Sequence, residues 1–195
     1  YAQPKLDGLR LVIGNSIKRD KYLPADMKLA SRKGIQYKLQ HLIEDADKLL
    51  QYANALCDNK CLALDGEAYK PGLPLQVINS YAKAYKAGLT ESLEYHVFDL
   101  IIQDMPFEER YKILVKAFEK LKTNSKLTLV PAVVCSSEQQ MKQQHGTWVE
   151  QGYEGIMLRK GSGNYSINQR SVNLFKYKTF FDDEFCIKEV WEDSN

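Results

Sequence analysis

The sequence predicts an α+β fold with mostly antiparallel sheets that are flanked by helices and form a cleft. The chain has 195 residues, of which 44% are apolar, so one domain can build a substantial core. Segments with strand and helix patterns alternate irregularly, unlike the regular repeat of a parallel α/β sheet. Charged residues also stand inside several strand segments, which favours strands that face a cleft.

The first half of the chain contains three predicted strands and two predicted helices. The turn residues Gly14-Asn15-Ser16 end the first strand, and Pro71-Gly72 ends the third. Apolar residues keep helical spacing between Leu39 and Leu56, which predicts an amphipathic helix. The predicted strands are 9–13, 27–31 and 61–69, and the predicted helices are 39–56 and 75–86.

The second half contains five predicted strands and two predicted helices. Residues 93–102 are rich in aromatic and β-branched side chains, which favours a buried strand. Pro106 lies in the first turn of one helix, where its missing N–H costs little, and Ser137 lies at the start of the other. The predicted strands are 93–102, 127–134, 156–158, 174–178 and 184–191, and the predicted helices are 106–122 and 137–151.

The charges are unevenly distributed along the chain. The net charge of +2 is nearly neutral, so the composition alone does not indicate a nucleic-acid-binding protein. Basic residues are concentrated between positions 18 and 38, however, and this stretch can form a local basic face. The basic residues of this stretch are Lys18, Arg19, Lys21, Lys28, Arg32, Lys33 and Lys38.

The four cysteines indicate the cellular setting. Cys57 and Cys61 form a C-x3-C pair without a second pair, so they are not a metal signature, and Cys135 and Cys186 are isolated. Scattered thiols are typical of a reducing compartment. No apolar run approaches the roughly 18 residues of a membrane span, and no signal peptide is evident. We therefore expect an intracellular protein of the cytoplasm or nucleus that does not contact a membrane. We also expect a monomer.

Five short motifs carry the strongest functional signal. The first is K-L-D-G-L-R, from Lys5 to Arg10. It is followed by L-D-G-E over 64–67, Y-H-V-F-D over 95–99, E-G-I-M-L over 154–158 and F-K-Y-K over 175–178. Each motif alone is weak evidence. Five in this order, spread over nearly the whole chain, are hard to obtain by chance.

Together these motifs resemble the covalent nucleotidyltransferase superfamily, which contains ATP-dependent DNA ligases, RNA ligases and mRNA capping enzymes. The resemblance implies that the chain is the adenylylation domain of an ATP-dependent DNA ligase and that the cleft binds a nucleotide. It implies ATP and Mg²⁺ as cofactors and nicked double-stranded DNA as the partner. Lys5 would form a covalent Lys-AMP intermediate, and AMP would pass to a DNA 5′-phosphate before the nick is sealed.

The resemblance makes Lys5 the nucleophile and places two cations near it. An ammonium group cannot attack, so Lys5 must first lose its proton, and neighbouring cations favour the neutral amine. Lys176 and Lys178 would be these cations, and they would also neutralise the α-phosphate. Because they stand at i and i+2 on a strand, both face the same side. A surface strand with alternating lysines and aromatics is the plainer alternative for this segment.

The other predicted site residues follow from their positions in the motifs. Arg10 would contact the nucleotide sugar and the 5′ side of the nick, and Arg32, in S-R-K-G, would hold the ribose or a phosphate. Phe98 would stack on the adenine, which a flat aromatic ring does well. Gln3, two residues before Lys5, would contact the adenine amino edge with its amide.

Two carboxylates are the predicted metal ligands. Glu67 would accept hydrogen bonds from the ribose hydroxyls or bind metal, and Glu154 would coordinate Mg²⁺ near the α-phosphate. Mg²⁺ prefers oxygen ligands and retains several waters, so one or two carboxylates suffice. The resemblance therefore predicts nucleotide binding by Gln3, Arg10, Arg32, Glu67, Phe98, Lys176 and Lys178, and metal binding by Glu67 and Glu154.

Other members of the superfamily are weaker matches. Capping enzymes usually have Thr after the lysine and use GTP, whereas Leu6 follows Lys5 here and Gln3 suits adenine. The F-E-E-R-Y segment at 107–111 favours DNA ligases over RNA ligases. The alternatives are an RNA ligase, an mRNA capping guanylyltransferase, or a non-catalytic nucleotide-binding scaffold. A scaffold predicts the loss of a catalytic residue, but Lys5, Glu67, Glu154, Lys176 and Lys178 are all present.

The ends of the chain predict a larger protein. Lys5 stands four residues from the first residue, and no initiator Met is present. We expect residues 1–183 to form the adenylylation domain and residues 184–195 to begin a strand that leads to an OB-fold domain, as in the ligases that the chain resembles. Without that domain, we expect weak self-adenylylation and weak nick sealing.

Overall fold

The computed structural model describes residues 1–14, 29–31, 35–167, 171–179, 186 and 188–190. Over these residues the chain forms eight strands and four α-helices. The strands are β1 Ala2–Lys5, β2 Leu9–Gly14, β3 Leu29–Ala30, β4 Ala63–Tyr69, β5 Glu94–Ile101, β6 Leu127–Leu129, β7 Gly155–Arg159 and β8 Leu174–Tyr177. The helices are α1 Ile43–Ala55, α2 Leu75–Lys83, α3 Phe107–Phe118 and α4 Glu138–Glu150, with 3₁₀ turns at Gln40–Leu42 and Thr90–Ser92.

The strands form two sheets. The three-stranded sheet has the order β1-β7-β8, and both of its strand pairs are antiparallel. The five-stranded sheet has the order β3-β2-β4-β5-β6, in which only the β5–β6 pair is parallel. The predicted α+β class with mostly antiparallel sheets is therefore confirmed.

Each sheet buries one face against helices. In α1 the apolar residues at helical spacing, Ala46, Leu49, Leu50 and Ala53, are all buried. They pack in the main core with the inner residues of the five-stranded sheet. A smaller cluster of Ala2, Trp148 and Ile156 holds α4 against the three-stranded sheet. Gln3 and Lys5 of β1 and Arg10 of β2 alternate with these packed residues, so they lie on the opposite faces of their sheets.

Most predicted elements are present, several of them shorter than predicted. The predicted strand over 127–134 ends at Leu129, since Pro131 has no N–H to donate to a ladder. The predicted helix over 75–86 ends at Lys83, where Ala84 turns extended. Helix α4 begins as predicted, with the Ser137 hydroxyl accepting a hydrogen bond from the Gln140 N–H at 3.2 Å.

Two features differ from the sequence-based expectation. Strand β1 was not predicted, because its four residues include a proline and show no apolar alternation. It forms by pairing with β7, about 150 residues away in the chain, as in the Ala2–Leu158 pair. Of the predicted strand over 184–191, residues 186 and 188–190 are described and none of them lies in a strand, while the other four fall outside the described residues. The proposed boundary at residue 183 remains a prediction.

A bulge interrupts the pairing of β4 with β5. Asp65 is opposite Asp99 and Gly66 is opposite Val97, so Phe98 is an extra residue in β5. Such bulges change the direction of a side chain and are common beside active sites. The aromatic residue predicted to stack on a base is therefore the one that the bulge displaces.

Candidate active site

The cleft side of the three-stranded sheet carries the first predicted residues. Ala2 and Ile156 face α4, so their neighbours in each strand face the opposite way. On that opposite face lie Gln3 and Lys5 of β1. Gln3, Met157 and Lys176 form one row across the three strands, a position for Met157 that the sequence did not reveal.

Glu154 connects Lys5 with Lys178. Its Oε2 is in direct contact with the Lys5 ammonium group, and its Oε1 accepts a hydrogen bond from Lys178 Nζ at 2.8 Å. The main chain reinforces this arrangement, since the Glu154 N–H donates to the Lys5 carbonyl at 3.2 Å. Burial alone would raise the pKa of Glu154, but the hydrogen bonds from Lys178 and Lys5 outweigh it and lower the pKa.

Gly155 permits the close approach of β7 to β8 beside this cluster. Its φ is +155°, and a Cβ atom there would lie 2.5 Å from the Tyr177 carbonyl oxygen and 2.9 Å from Lys178 Cβ. No side chain fits this space. The glycine after Glu154 thus allows Lys178 to reach the same carboxylate as Lys5, which gives the E-G pair of the motif a physical reason.

The five-stranded sheet supplies Glu67. In the sheet register Glu67 is opposite Arg10 of β2 and His96 of β5. Burial is the main cause that raises the pKa of Glu67 to about 8, with Asp65 adding to it, while Arg10, Lys5 and the Gly8 N–H act in the other direction. At neutral pH the carboxyl group is therefore largely protonated, and it can donate a hydrogen bond as well as accept one.

The raised pKa of Glu67 predicts a pH-dependent stability. Unfolding returns the pKa to about 4.5. The unfolded chain therefore ionises first, and the stability associated with the neutral carboxyl is lost as the pH rises from about 4.5 to about 8. Glu67→Gln does not titrate, so its free energy of unfolding relative to wild type should rise across this window, by about 1 kcal/mol or more. Urea denaturation at a series of pH values measures this difference.

The control for this prediction is Glu150→Gln, which changes an exposed glutamate at the end of α4. Its free energy of unfolding should run parallel to that of wild type at every pH. A Glu67→Gln curve that also runs parallel would show that the Glu67 carboxyl titrates normally in the folded protein.

Arg10 is held by two residues that sequence reasoning missed. Its guanidinium group forms a two-pronged ion pair with Asp65, which is 1% exposed. The Tyr165 hydroxyl donates to Asp65 at 2.7 Å and accepts from Arg10 at 3.3 Å. Burial would lower the pKa of Arg10, but the neighbouring Asp65 and Tyr165 raise it. Asp65 belongs to the L-D-G-E motif, which was the available signal; Tyr165 lies in a loop without one.

Phe98 lies between the sheets with arginines near its ring. The guanidinium carbons of Arg10 and Arg159 are each 5.2 Å from the ring centroid. Such contacts stabilise an aromatic ring in a fixed orientation. The ring is half-buried, so part of its surface remains available to a ligand.

Gln3 is more buried than a base-contacting side chain was expected to be. It is 1% exposed. Its Nε2 donates to the Phe98 carbonyl at 3.1 Å, and its Oε1 accepts from Arg159 Nε at 2.7 Å. The predicted contact of Gln3 with the adenine amino edge stays a prediction.

A buried carboxylate next to Phe98 anchors two arginines. Asp99 is fully buried and accepts from Arg110 Nε at 2.9 Å, Arg110 Nη2 at 3.0 Å and Arg159 Nη1 at 2.8 Å. Arg110 is 2% exposed and belongs to α3. These arginines stand in the F-E-E-R-Y and E-G-I-M-L-R segments, but the sequence did not indicate that they share one partner.

The remaining predicted residues divide into two groups. Lys176 is exposed and shares the cleft face of the three-stranded sheet. Arg32 lies outside the described residues, as does most of the basic stretch over 18–38.

Across the described ranges no group of three or more His, Cys, Asp or Glu side chains is clustered as a metal site. Nor does any helix there have the length and apolar character to cross a bilayer.

A comparison with known proteins identifies the family. The family model described as "ATP dependent DNA ligase domain" matches residues 1–178. The chain belongs to this family. The match includes all five motifs and the last residue of the Lys5–Glu154–Lys178 cluster, so the resemblance inferred from the motifs is confirmed.

Named relatives of this DNA ligase domain are longer proteins. The DNA ligase of Archaeoglobus fulgidus is 28% identical over 132 residues, which cover 61% of this chain and 23% of the relative. DNA ligase 2 of Methanosarcina acetivorans is 25% identical over 193 residues, covering 91% of this chain and 32% of the relative. The chain thus spans about a quarter to a third of the length of these proteins.

Solved structures share the fold of this ligase domain. The Chlorella virus DNA ligase-adenylate superposes with a TM-score of 0.65 at 20% identity, and the match covers 91% of this chain and 60% of that chain. At this level of identity the match establishes the fold. It agrees with the two-sheet architecture described above.

Proposed function

We propose that this domain performs the nucleotidyl-transfer chemistry of an ATP-dependent DNA ligase, with Lys5 as the nucleophile. The convergence of Lys5 and Lys178 on Glu154 is the observation that carries the proposal. A lysine held beside a second cation and a carboxylate, on the floor of a cleft, has the neighbours that a nucleophilic amine requires. Membership of the ligase domain family supports ATP as the donor.

In the first step the Lys5 nitrogen attacks the α-phosphorus of ATP. The new bond is N–P, the bond that breaks joins the α-phosphorus to the bridging oxygen, and pyrophosphate leaves with that electron pair. Lys5 must lose its ammonium proton before it attacks, because an ammonium nitrogen has no lone pair with which to form the N–P bond. Lys176 and Lys178, on one face of the strand segment, neutralise charge that develops on the phosphate oxygens.

The nucleotide is bound between the two sheets in this proposal. Phe98 supplies a flat surface for the adenine, and Met157 supplies an apolar surface from the other sheet. Glu67 contacts the ribose hydroxyls, for which a protonated carboxyl is suited as donor and acceptor. Arg10 contacts the sugar, and its pairing with Asp65 and Tyr165 pre-orients its guanidinium group.

The carboxylates near Lys5 are compatible with the Mg²⁺ that the family implies. Glu154 is ionised and about one-quarter exposed, and Glu67 is close enough to Lys5 to feel its charge. Glu154 offers ionised carboxylate oxygens, the hard ligands that Mg²⁺ prefers, whereas Glu67 would have to lose its proton to become a second ligand, a change that the charge of the metal itself favours. Two carboxylates suffice when water and phosphate complete the coordination. Glu154 and Glu67 would therefore hold Mg²⁺. When bound, it would neutralise phosphate charge during transfer.

The later steps use DNA. AMP passes from Lys5 to the 5′-phosphate at a nick, and the 3′-hydroxyl then attacks this activated phosphate and releases AMP. Phosphate contacts from the basic stretch over 18–38 would contribute to DNA affinity and make it sensitive to salt. For the whole protein we also propose DNA binding, nick sealing, an intracellular location and a monomeric state.

The first experiment is intact-mass spectrometry of the full-length protein after incubation with Mg²⁺ and either ATP or GTP. We expect the mass of one AMP to be added from ATP, and peptide mapping should place it on Lys5. A GMP adduct would indicate a capping guanylyltransferase instead. Absence of any adduct would favour a nucleotide-binding scaffold. Transfer of AMP to nicked RNA and not to nicked DNA would indicate an RNA ligase.

A further inference from the structure

The two sheets are connected by a closed ring of hydrogen bonds around Phe98. Gln3 of β1 donates from Nε2 to the Phe98 carbonyl of β5 at 3.1 Å. Arg159 of β7 donates from Nε to Gln3 Oε1 at 2.7 Å and from Nη1 to Asp99 Oδ2 at 2.8 Å. Because Asp99 follows Phe98 in the chain, the contacts close on themselves. We call this closed set of groups the hydrogen-bond ring; it consists of Gln3, Arg159, Asp99 and the Phe98 carbonyl.

The hydrogen-bond ring is placed where a rigid connection would fix the position of the aromatic platform relative to the nucleophile. Gln3 stands two residues before Lys5 on the same strand and on the same face. Phe98 is the bulged residue of the other sheet. The ring therefore joins the strand that carries the nucleophile to the strand that carries the aromatic platform. Any change in the ring alters the distance or angle between the two.

The ring is buried and its contacts are mutually supporting. Gln3 is 1% exposed and Asp99 is fully buried. Asp99 also accepts a hydrogen bond from Arg110, and the guanidinium group of Arg159 lies over the aromatic side chain of Phe98. Buried polar networks whose members are all paired are rigid, and loss of one member leaves its partners unsatisfied.

The same burial argues against a direct contact between Gln3 and a base. A side chain that contacts the edge of a base must present its amide to the cleft. Here one N–H and the oxygen of that amide are engaged by protein groups, and almost none of the side chain is accessible. A base would reach the amide only after the ring had opened.

We propose that Gln3 and Arg159 are positioning residues that act on the nucleotide through Phe98, and that Gln3 does not contact the adenine amino group. This inference rests on the proposed function, since it concerns how the same cleft holds ATP. Its consequence is that the ring sets how well any purine stacks, whatever its 6-substituent.

The test compares ATP with purine riboside triphosphate, which lacks only the 6-amino group. Initial rates of adduct formation on the full-length protein are measured for wild type, Gln3→Met, Arg159→Met and the double variant. Gln139→Met, which changes an exposed glutamine of α4, is the matched control. We expect each ring variant to raise KM for both nucleotides about tenfold, a fraction of a stacking interaction. The ATP preference should stay within about twofold of wild type, and the double variant should be no worse than the worse single variant.

A milder substitution provides a second test in case the methionine variants do not fold. Gln3→Glu keeps an acceptor for Arg159 and removes only the donor to the Phe98 carbonyl. The ring predicts that KM rises for both nucleotides alike. If Gln3 instead contacted the adenine amino group, KM for ATP would not change, because a carboxylate accepts a hydrogen bond from that amino group as well as an amide does.

Three results would overturn the inference: loss of the ATP preference in Gln3→Met alone, additive effects of Gln3→Met and Arg159→Met, or an unchanged KM in both. If the wild-type protein forms no adduct, the proposed function fails and the ring is tested by thermal unfolding instead. The midpoint of the double variant should then equal that of the worse single variant, and additive shifts would refute the ring.

Discussion

Lys5→Arg is expected to reduce the rate of covalent adduct formation by at least about a thousandfold. Arginine keeps the positive charge and can still pair with Glu154, but its guanidinium group does not lose a proton in proteins, so no nucleophile is available. Because the ion pair is retained, the fold should be unaffected. Intact-mass spectrometry after incubation with ATP measures the adduct, and the thermal unfolding midpoint, within a few degrees of wild type, shows that the protein is folded.

The matched control is Lys178→Arg, which makes the same change at the other lysine that binds Glu154. A cation that acts through its charge is partly replaced by arginine, so the adduct should form more slowly, by about tenfold to a hundredfold, but should still form. An adduct that persists in Lys5→Arg, or one that disappears only in Lys178→Arg, would assign the nucleophile to another lysine.

Asp99→Ala is expected to destabilise the fold by about 3–5 kcal/mol, because it removes the carboxylate and leaves two buried guanidinium groups without a counter-ion. Arg110 is 2% exposed and the Arg159 side chain is 10% exposed, so neither can turn to water without disturbing the core. The N–H of Leu100 also loses its acceptor, which lies at 2.8 Å. Urea denaturation measures the free energy of unfolding.

Asp65→Ala is the comparison for this prediction. Asp65 is as buried as Asp99, but its partner Arg10 has a side chain that is 37% exposed and can be solvated once the pair is broken. The loss of stability should therefore be smaller than for Asp99→Ala. A loss below about 1 kcal/mol in Asp99→Ala would mean that its arginines find other partners, and the structural importance of the network would have to be abandoned.

Local patterns in the sequence were sufficient for the fold class and for most elements. Apolar spacing between Leu39 and Leu56 predicted α1, and Ser137 marked the first turn of α4. Helix periodicity and caps depend on nearby residues, so they are visible in one segment at a time. Strand β1 has no such local signal, since its four residues become a strand only through pairing with β7.

The candidate site shows the same division. Motif positions predicted Lys5, Glu154 and Lys178, and the structure brings these three together. Glu67 and Arg10 are also brought together, as neighbours in adjacent strands. The bulge at Phe98 and the shared carboxylate of Asp99 were not predicted, because they depend on register and on packing between the sheets. A sequence motif indicates which side chains the chemistry needs, whereas the residues that hold those side chains in position are distributed over the fold.

The pairing of β1 with β7 also bears on how the domain is assembled. Lys5 and Glu154 are 149 residues apart in the chain, whereas Lys178 and Glu154 are 24 apart. Closing a long loop costs more entropy than closing a short one, so pairing between distant residues is the slower step unless other contacts have already brought them together. Strands β2, β4 and β5 pair over shorter separations, so the five-stranded sheet can form while β1 is still unpaired. In this order of assembly, Lys5, the proposed nucleophile, would reach Glu154 and Lys178 only when β1 docks, so the proposed chemistry would require a nearly complete fold.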